Sequence, residues 1–168
     1  MTEDSVVPVE EPTIGVIQMV SSQRVDTNLK RAEALIKEAA SEGVKAVFLP
    51  ENFAALGSTQ TRSIAEREAT DKGPVRQFLF EQAQRYGCWI FGGTLPVPVR
   101  LDGTHIDSGR VRAASFVYDG AGRQIGRYDK RHMFDVDVDD NQKSYRESDA
   151  EIIPVRDPRI KASINYHE

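Results

Sequence analysis

Cysteine is almost missing from this sequence: among 168 residues only Cys88 carries a thiol. One thiol closes no internal disulfide, so core packing must hold the fold, an arrangement that suits a reducing cytosol. Also missing is any apolar run near the roughly 20 residues a membrane-spanning helix needs. There is no excess of positive charge either. Lys and Arg number 22 against 26 Asp and Glu, for a net charge of -4 and a pI near 5.5. That balance argues against a nucleic-acid or anionic-membrane partner, because both need clustered cations to displace counterions. Residues 1–12 lack a basic segment followed by an apolar one, so they are expected to form a disordered tail and not a secretory signal. Repeats and low-complexity segments are absent. What remains is an ordinary composition, 39% hydrophobic and 29% charged, long enough for one domain with a sizeable core. Cytoplasmic placement follows as the expectation.

Apolar stretches mark the framework. Ile14 to Val20 is rich in β-branched residues and is expected to be a buried strand. Asp26 and Asn28 offer short oxygen-bearing side chains as helix caps. Ala32, Leu35, Ile36, Ala39 and Ala40 then recur at helical spacing, with Lys30, Arg31, Lys37 and Glu38 mainly off that face. Gly43 ends the helix, and Val44 to Leu49 follows as a second strand. Strand, helix and strand within about 35 residues make a βαβ unit with a parallel pair. The polar stretch Ser58 to Thr70 predicts a short helix. Gly73-Pro74 opens another, with Val75, Phe78, Leu79, Gln82, Ala83 and Tyr86 as its inner stripe, and Gly87 stops it. Cys88 to Phe91 is a third buried strand ended by Gly92 and Gly93. Leu95 to Gly109 reads as a loop or ragged edge. Val111 to Tyr118 and Arg123 to Tyr128 form a hairpin around Asp119 to Gly122.

Two side chains stand out chemically. Glu51, in Phe48-Leu49-Pro50-Glu51-Asn52-Phe53, lies just past the C-terminal end of a predicted strand, the edge where open α/β sheets bind ligands. Leu49 and Phe53 are expected to desolvate its carboxylate partly and tune it as a general base; a glutamate capping a turn is the plainer alternative. Lys130, in Tyr128-Asp129-Lys130-Arg131-His132-Met133-Phe134, could steady negative charge on a substrate oxygen, against the alternative of a solvated cation. His132 fits a structural role better than a titrating one. Asp135, Asp137, Asp139 and Asp140 alternate like calcium ligands. Counted from Asp135, however, the sixth and twelfth positions hold Asp140 and Arg146 where a calcium loop needs glycine and glutamate. A solvated acidic loop is the better account. Cys88 begins an apolar strand with nothing local to lower its pKa, so it is expected to be buried and structural.

In order, these pieces resemble the nitrilase superfamily of carbon–nitrogen hydrolases, nearest to its ω-amidase and deaminated glutathione amidase branch. The motifs are Ile14 to Met19, Asn28, Phe48 to Phe53, Gly73-Pro74, Gly92-Gly93-Thr94, Ser115 to Asp119, Tyr128 to Asp135 and Arg146-Glu147-Ser148. The resemblance implies an α/β fold, a four-layer αββα sandwich, with a partial hydrolase domain over 13–149 and a divergent end over 150–168. It implies hydrolysis of the non-peptide amide bond of a small carboxylate-bearing amide, without metal or organic cofactor. Glu51 would be the base, Lys130 the oxyanion partner and Glu147 a second glutamate; a homo-oligomer is possible for such proteins. The family's Cys-Tyr-Asp nucleophile motif is not matched, and Cys88 does not occupy its place. The expectation is therefore a fold truncated before its C-terminal strands and inactive as it stands. A non-catalytic module, binding a small molecule or joining subunits, is the alternative, and a flavodoxin-like regulatory domain is a weaker one.

Overall fold

The computed structural model describes residues 12–106 and 109–130, with the strand backbones of 136–138 and 143–145. Nearly all of the expected tail, His132, Asp135, Asp139, Asp140, Glu147 and the 150–168 end lie outside the described residues. Strand β1 (Ile14–Val16), helix α1 (Val25–Ser41) and strand β2 (Ala46–Phe48) form the expected βαβ unit, β1 and β2 being parallel with Ile14 opposite Ala46. Helices α2 (Thr61–Arg67) and α3 (Pro74–Tyr86) follow, and strand β3 (Trp89–Phe91) joins β2 in parallel. Strands β4 (Leu95–Val97), β5 (Arg112–Tyr118) and β6 (Gln124–Asp129) complete a six-stranded mixed sheet. Strands β7 (Val136–Val138) and β8 (Lys143–Tyr145) form a separate antiparallel pair.

Strand β5 organises the antiparallel half. Along one edge it pairs with β6; along the other its start pairs with β4 and its end with β3. Strands β3 and β4 are thus two parts of one path, broken at Gly92 and Gly93. The expected loop from Leu95 to Gly109 therefore contains a strand, with Leu95 and Val97 buried in the core. Its prolines concealed that strand from a reading of composition alone.

The sheet has two unlike faces. Val47, Ile90, Phe116 and Tyr118 point to the side covered by α1 and α3, where they meet Ala32, Ile36, Val75, Leu79 and Ala83. Burying each large apolar side chain contributes about 1.5–3 kcal/mol. On the other face lie Ile14, Val16, Trp89 and Tyr128, which are 54%, 75%, 44% and 42% exposed, with Phe48 stacked on Phe91 at 4.2 Å. Ile14 to Val20 is thus not a buried strand. Only Ile14–Val16 is paired, at the sheet edge; of its large side chains Ile17 is buried in the core and Met19 packs against it half-buried.

Helix ends also differ in part from expectation. Gly87 stops α3 in the left-handed conformation (φ 62°) as expected. At the start of α1, however, the cap position is Arg24, which makes no side-chain capping bond, and Asn28 lies inside the helix with its amide turned elsewhere. The start of α3 is capped from a distance. Buried Glu68 accepts from the Val75 N–H at 2.8 Å and the Arg76 N–H at 3.2 Å. Gly73 leaves room for that carboxylate, since a Cβ there would run into it.

Candidate active site

Glu51 leaves the C-terminal end of β2 on a backbone held from two sides. On one side, Leu49 N–H still donates to the Phe91 carbonyl at 2.9 Å, and Glu51 then makes a single parallel bridge with Thr94. Asn52 follows with φ 53°, a left-handed turn that asparagine tolerates better than most residues. Its N–H donates to the Thr94 carbonyl at 3.1 Å and lies 3.2 Å from the Thr94 hydroxyl. Gly93 permits this approach, because a Cβ on it would collide with the Pro50 carbonyl. On the other side stands Asn28. Its Nδ2 donates to the carbonyls of Ser22 and Ala54, both at 2.8 Å, and its Oδ1 accepts from Ser22 N–H at 2.9 Å and Ser22 Oγ at 3.0 Å. A buried amide with its polar atoms satisfied rigidifies what it joins. Asn28 is therefore a clamp between α1 and the loop after Glu51, not a helix cap.

Lys130 reaches the same place from the opposite half of the sheet. Its N–H donates to the Ala113 carbonyl at 2.8 Å, which carries the β5–β6 pairing one residue further. The side chain of the preceding Asp129 is 7% exposed and gripped by Arg127 at 2.7 and 3.0 Å, while Arg127 also donates to the Val99 carbonyl at 2.6 Å. Arg112 lies 4.0 Å from the same carboxylate. With its root fixed, Lys130 donates from Nζ to Glu51 Oε1 at 2.6 Å, joining residues 79 positions apart. A contact so distant in sequence is decided by tertiary structure and not by local geometry.

The pair is more open than expected. The Glu51 side chain is 52% exposed and that of Lys130 27%. Leu49 and Phe53 are buried, but they turn inward and leave the carboxylate uncovered. Beside the pair lies a cleft of about 540 Å³, walled by Asn52, Leu56, Arg62, Arg110, Arg112 and Ala113. Glu51 and Lys130 do not line it; Asn52 and Ala113 are its links to them. Arg62 there bonds the carbonyls of Ile106 and Arg110 and pairs with Glu66. His105 lies 3.1 Å from Glu66, and it, with Arg62, holds that carboxyl below the usual range.

Cys88 is 2% exposed, and burial pushes its thiol up. It precedes β3, at the end of the parallel strands away from Glu51, so it stands apart from the pair as expected. Among the described residues no group of three His, Cys, Asp or Glu side chains could hold a metal ion, and no helix is long and apolar enough to cross a membrane. The sequence motifs singled out Glu51 and Lys130. Asn28, Thr94 and Asp129 stood in those motifs too, but without these supporting parts assigned to them, since the Asn28 clamp and the Thr94 acceptors join segments remote in sequence.

Comparison with known proteins bears on the family and the fold. The family model described as carbon-nitrogen hydrolase matches residues 13–164. A deaminated glutathione amidase of Yersinia enterocolitica is 36% identical over 136 residues, 81% of this chain and 45% of the relative. The omega-amidase NIT2 of Danio rerio is 32% identical over 126 residues, 74% of this chain and 42% of the relative. The chain spans less than half the length of these relatives. Among solved structures, Saccharomyces cerevisiae Nit3, a member of branch 10 of the nitrilase superfamily, superposes with a TM-score of 0.59 at 26% identity, over 71% of this chain and 44% of that one. The C. elegans NitFhit protein gives 0.62 at 24% identity, over 84% and 34%. The likeness places the sheet and helices described here within the α/β sandwich of that superfamily, of which they supply one helical layer and one sheet layer.

Proposed function

This chain belongs to the carbon–nitrogen hydrolase family, within the nitrilase superfamily, and from that premise we propose that it carries the carboxylate and lysine of an amide-hydrolysing site. The observation that carries the reading is the 2.6 Å contact between Glu51 and Lys130 beyond the ends of the parallel strands. Glu51 takes the proton of a thiol, and the thiolate attacks the amide carbon. Lys130 donates to the oxygen that becomes negative as the carbon turns tetrahedral. The C–N bond then breaks, and ammonia leaves with the proton held by Glu51. Water, deprotonated by Glu51 in turn, hydrolyses the thioester. Glu147 is assigned as a second carboxylate of this site.

The substrate class is a small amide that also bears a carboxylate. Arg110, an exposed residue in the wall of the neighbouring cleft, supports this, since a guanidinium group matches carboxylate geometry. The thiol is not Cys88, which is buried and has its proton affinity raised. Residues 1–168 alone should therefore turn over amides slower than a chain supplying the nucleophile, by on the order of a million-fold. Ammonia release from small ω-amides is the test, measured for residues 1–168 with and without a family segment bearing the Cys-Tyr-Asp motif. Activity confined to the extended chain, and lost in Glu51→Gln and Lys130→Ala, is the expected result. Turnover by residues 1–168 alone would point to another nucleophile. Binding without turnover in both would favour the second reading, a small-molecule-binding module, which the burial of the only thiol otherwise supports.

A further inference from the structure

We propose that Thr94 is a positioning residue that sets Glu51 against Lys130 by holding the backbone of Asn52; this rests on the reading of the pair given above. After Leu49 the regular β2–β3 pairing gives way to the single bridge between Glu51 and Thr94. The peptide that follows Glu51 is held where Asn52 N–H meets two acceptors of one residue, the Thr94 carbonyl at 3.1 Å and the Thr94 hydroxyl at 3.2 Å. Asn52 sits at φ 53°, a turn that few residues other than glycine and asparagine adopt, and the bonds on its N–H hold it in place. Lys130 is anchored independently, through Ala113 and the grip on Asp129. The place of Glu51 in the pair thus depends on its own loop, where the Thr94 hydroxyl is the side-chain group bonded to the peptide directly after Glu51 and Asn28 holds the chain further on, at Ala54. Thr94 touches neither member of the pair through its side-chain bonds, which makes it a positioning residue and not a catalytic one.

Zero-length coupling with a water-soluble carbodiimide tests this on the chain as it stands. The reagent activates the Glu51 carboxyl, the Lys130 amine displaces it, and the reagent leaves as a urea carrying the lost oxygen. The amide forms only where carboxylate and amine touch, and peptide mass spectrometry reads the 51–130 cross-link. Wild type is expected to give the cross-link. Thr94→Val keeps the shape but drops the hydroxyl, and should lower the yield about fivefold, the shift one net hydrogen bond supports. Thr94→Ser should restore it, with near-ultraviolet circular dichroism unchanged across the set. Should the valine variant fail to fold, Thr94→Ala against Thr94→Ser carries the same comparison. Equal yields with and without the hydroxyl overturn the positioning role alone. No cross-link in wild type sinks the Glu51–Lys130 pairing itself, and both readings with it.

Discussion

Trp89 and Ile90 are consecutive residues of one strand, yet they lie in different surroundings. Ile90 is fully buried under α1 and α3, whereas Trp89 is 44% exposed on the opposite face. The same contrast runs across the parallel strands, where Val47 is fully buried and Ile14 and Val16 stay exposed. The helices close over this face, and core side chains of strand and helix interlock beneath them, so stability is concentrated on that side. The Glu51–Lys130 pair lies at the sheet's edge, held by backbone bonds and buried polar clamps and not by apolar packing. Apolar matter on the covered face sets whether the chain folds, and polar geometry at the edge sets what it can do.

The sharpest way to break this contrast is Ile90→Ala, which should cost about 3 kcal/mol of unfolding free energy, the loss typical of a closed core that cannot collapse around the gap. Denaturant titration measures it, and a cost below that of a surface change would contradict the burial assigned to this face. Asn28→Ala comes next at about 2 kcal/mol, because it strands the buried Ala54 carbonyl and takes the acceptor from the Ser22 N–H. Unlike Ile90→Ala it should also depress the 51–130 cross-link, since it frees the loop after Glu51. A variant that loses stability but keeps full coupling would show that this clamp does not reach the site.

Glu68 gives a smaller effect, visible as a pH slope. Burial raises its proton affinity in the folded chain above the ordinary value of 4.5, outweighing the backbone bonds from Val75 and Arg76 that lower it. The folded state thus binds this proton more tightly than the unfolded state does. The stability it contributes is complete below pH 4.5 and is lost as pH rises through the raised folded value. Thermal midpoints between pH 4 and pH 8 should therefore fall more with rising pH in wild type than in Glu68→Gln. Parallel curves for the two would place the ionisation elsewhere. Trp89→Ser should move stability least, within about 1 kcal/mol; a loss as large as that of Ile90→Ala would mean that its face is covered.

Much of this was legible locally. The stripe of Ala32 and Ile36 in α1 and that of Val75, Leu79 and Ala83 in α3 repeat at helical spacing, and Gly87 ends α3 by a local conformational preference. Glu51 was placed by its position just past the C-terminal end of a predicted strand. Other features were hidden because their partners are remote. Asn28 carries the composition of a helix cap, but its hydrogen bonds go to Ser22 and to Ala54, 26 residues away. Glu68 looked like one polar residue in a polar stretch, and only the fold turns it onto the start of α3. The strand at Leu95–Val97 was masked by Pro96, which sits opposite Ala113 in β5.

By itself, then, the order of residues determined the helices, the βαβ start, the hairpin and the two side chains worth watching, since periodicity, turn chemistry and motif spacing act within a few residues of one another. Which face of the sheet is covered was settled only in three dimensions. So was the openness of Glu51 to solvent, and so was the arrival of a lysine from the far end of the sheet at 2.6 Å. Those depend on strand register and on the collapse of α1 and α3 onto one side, and both are properties of the whole chain.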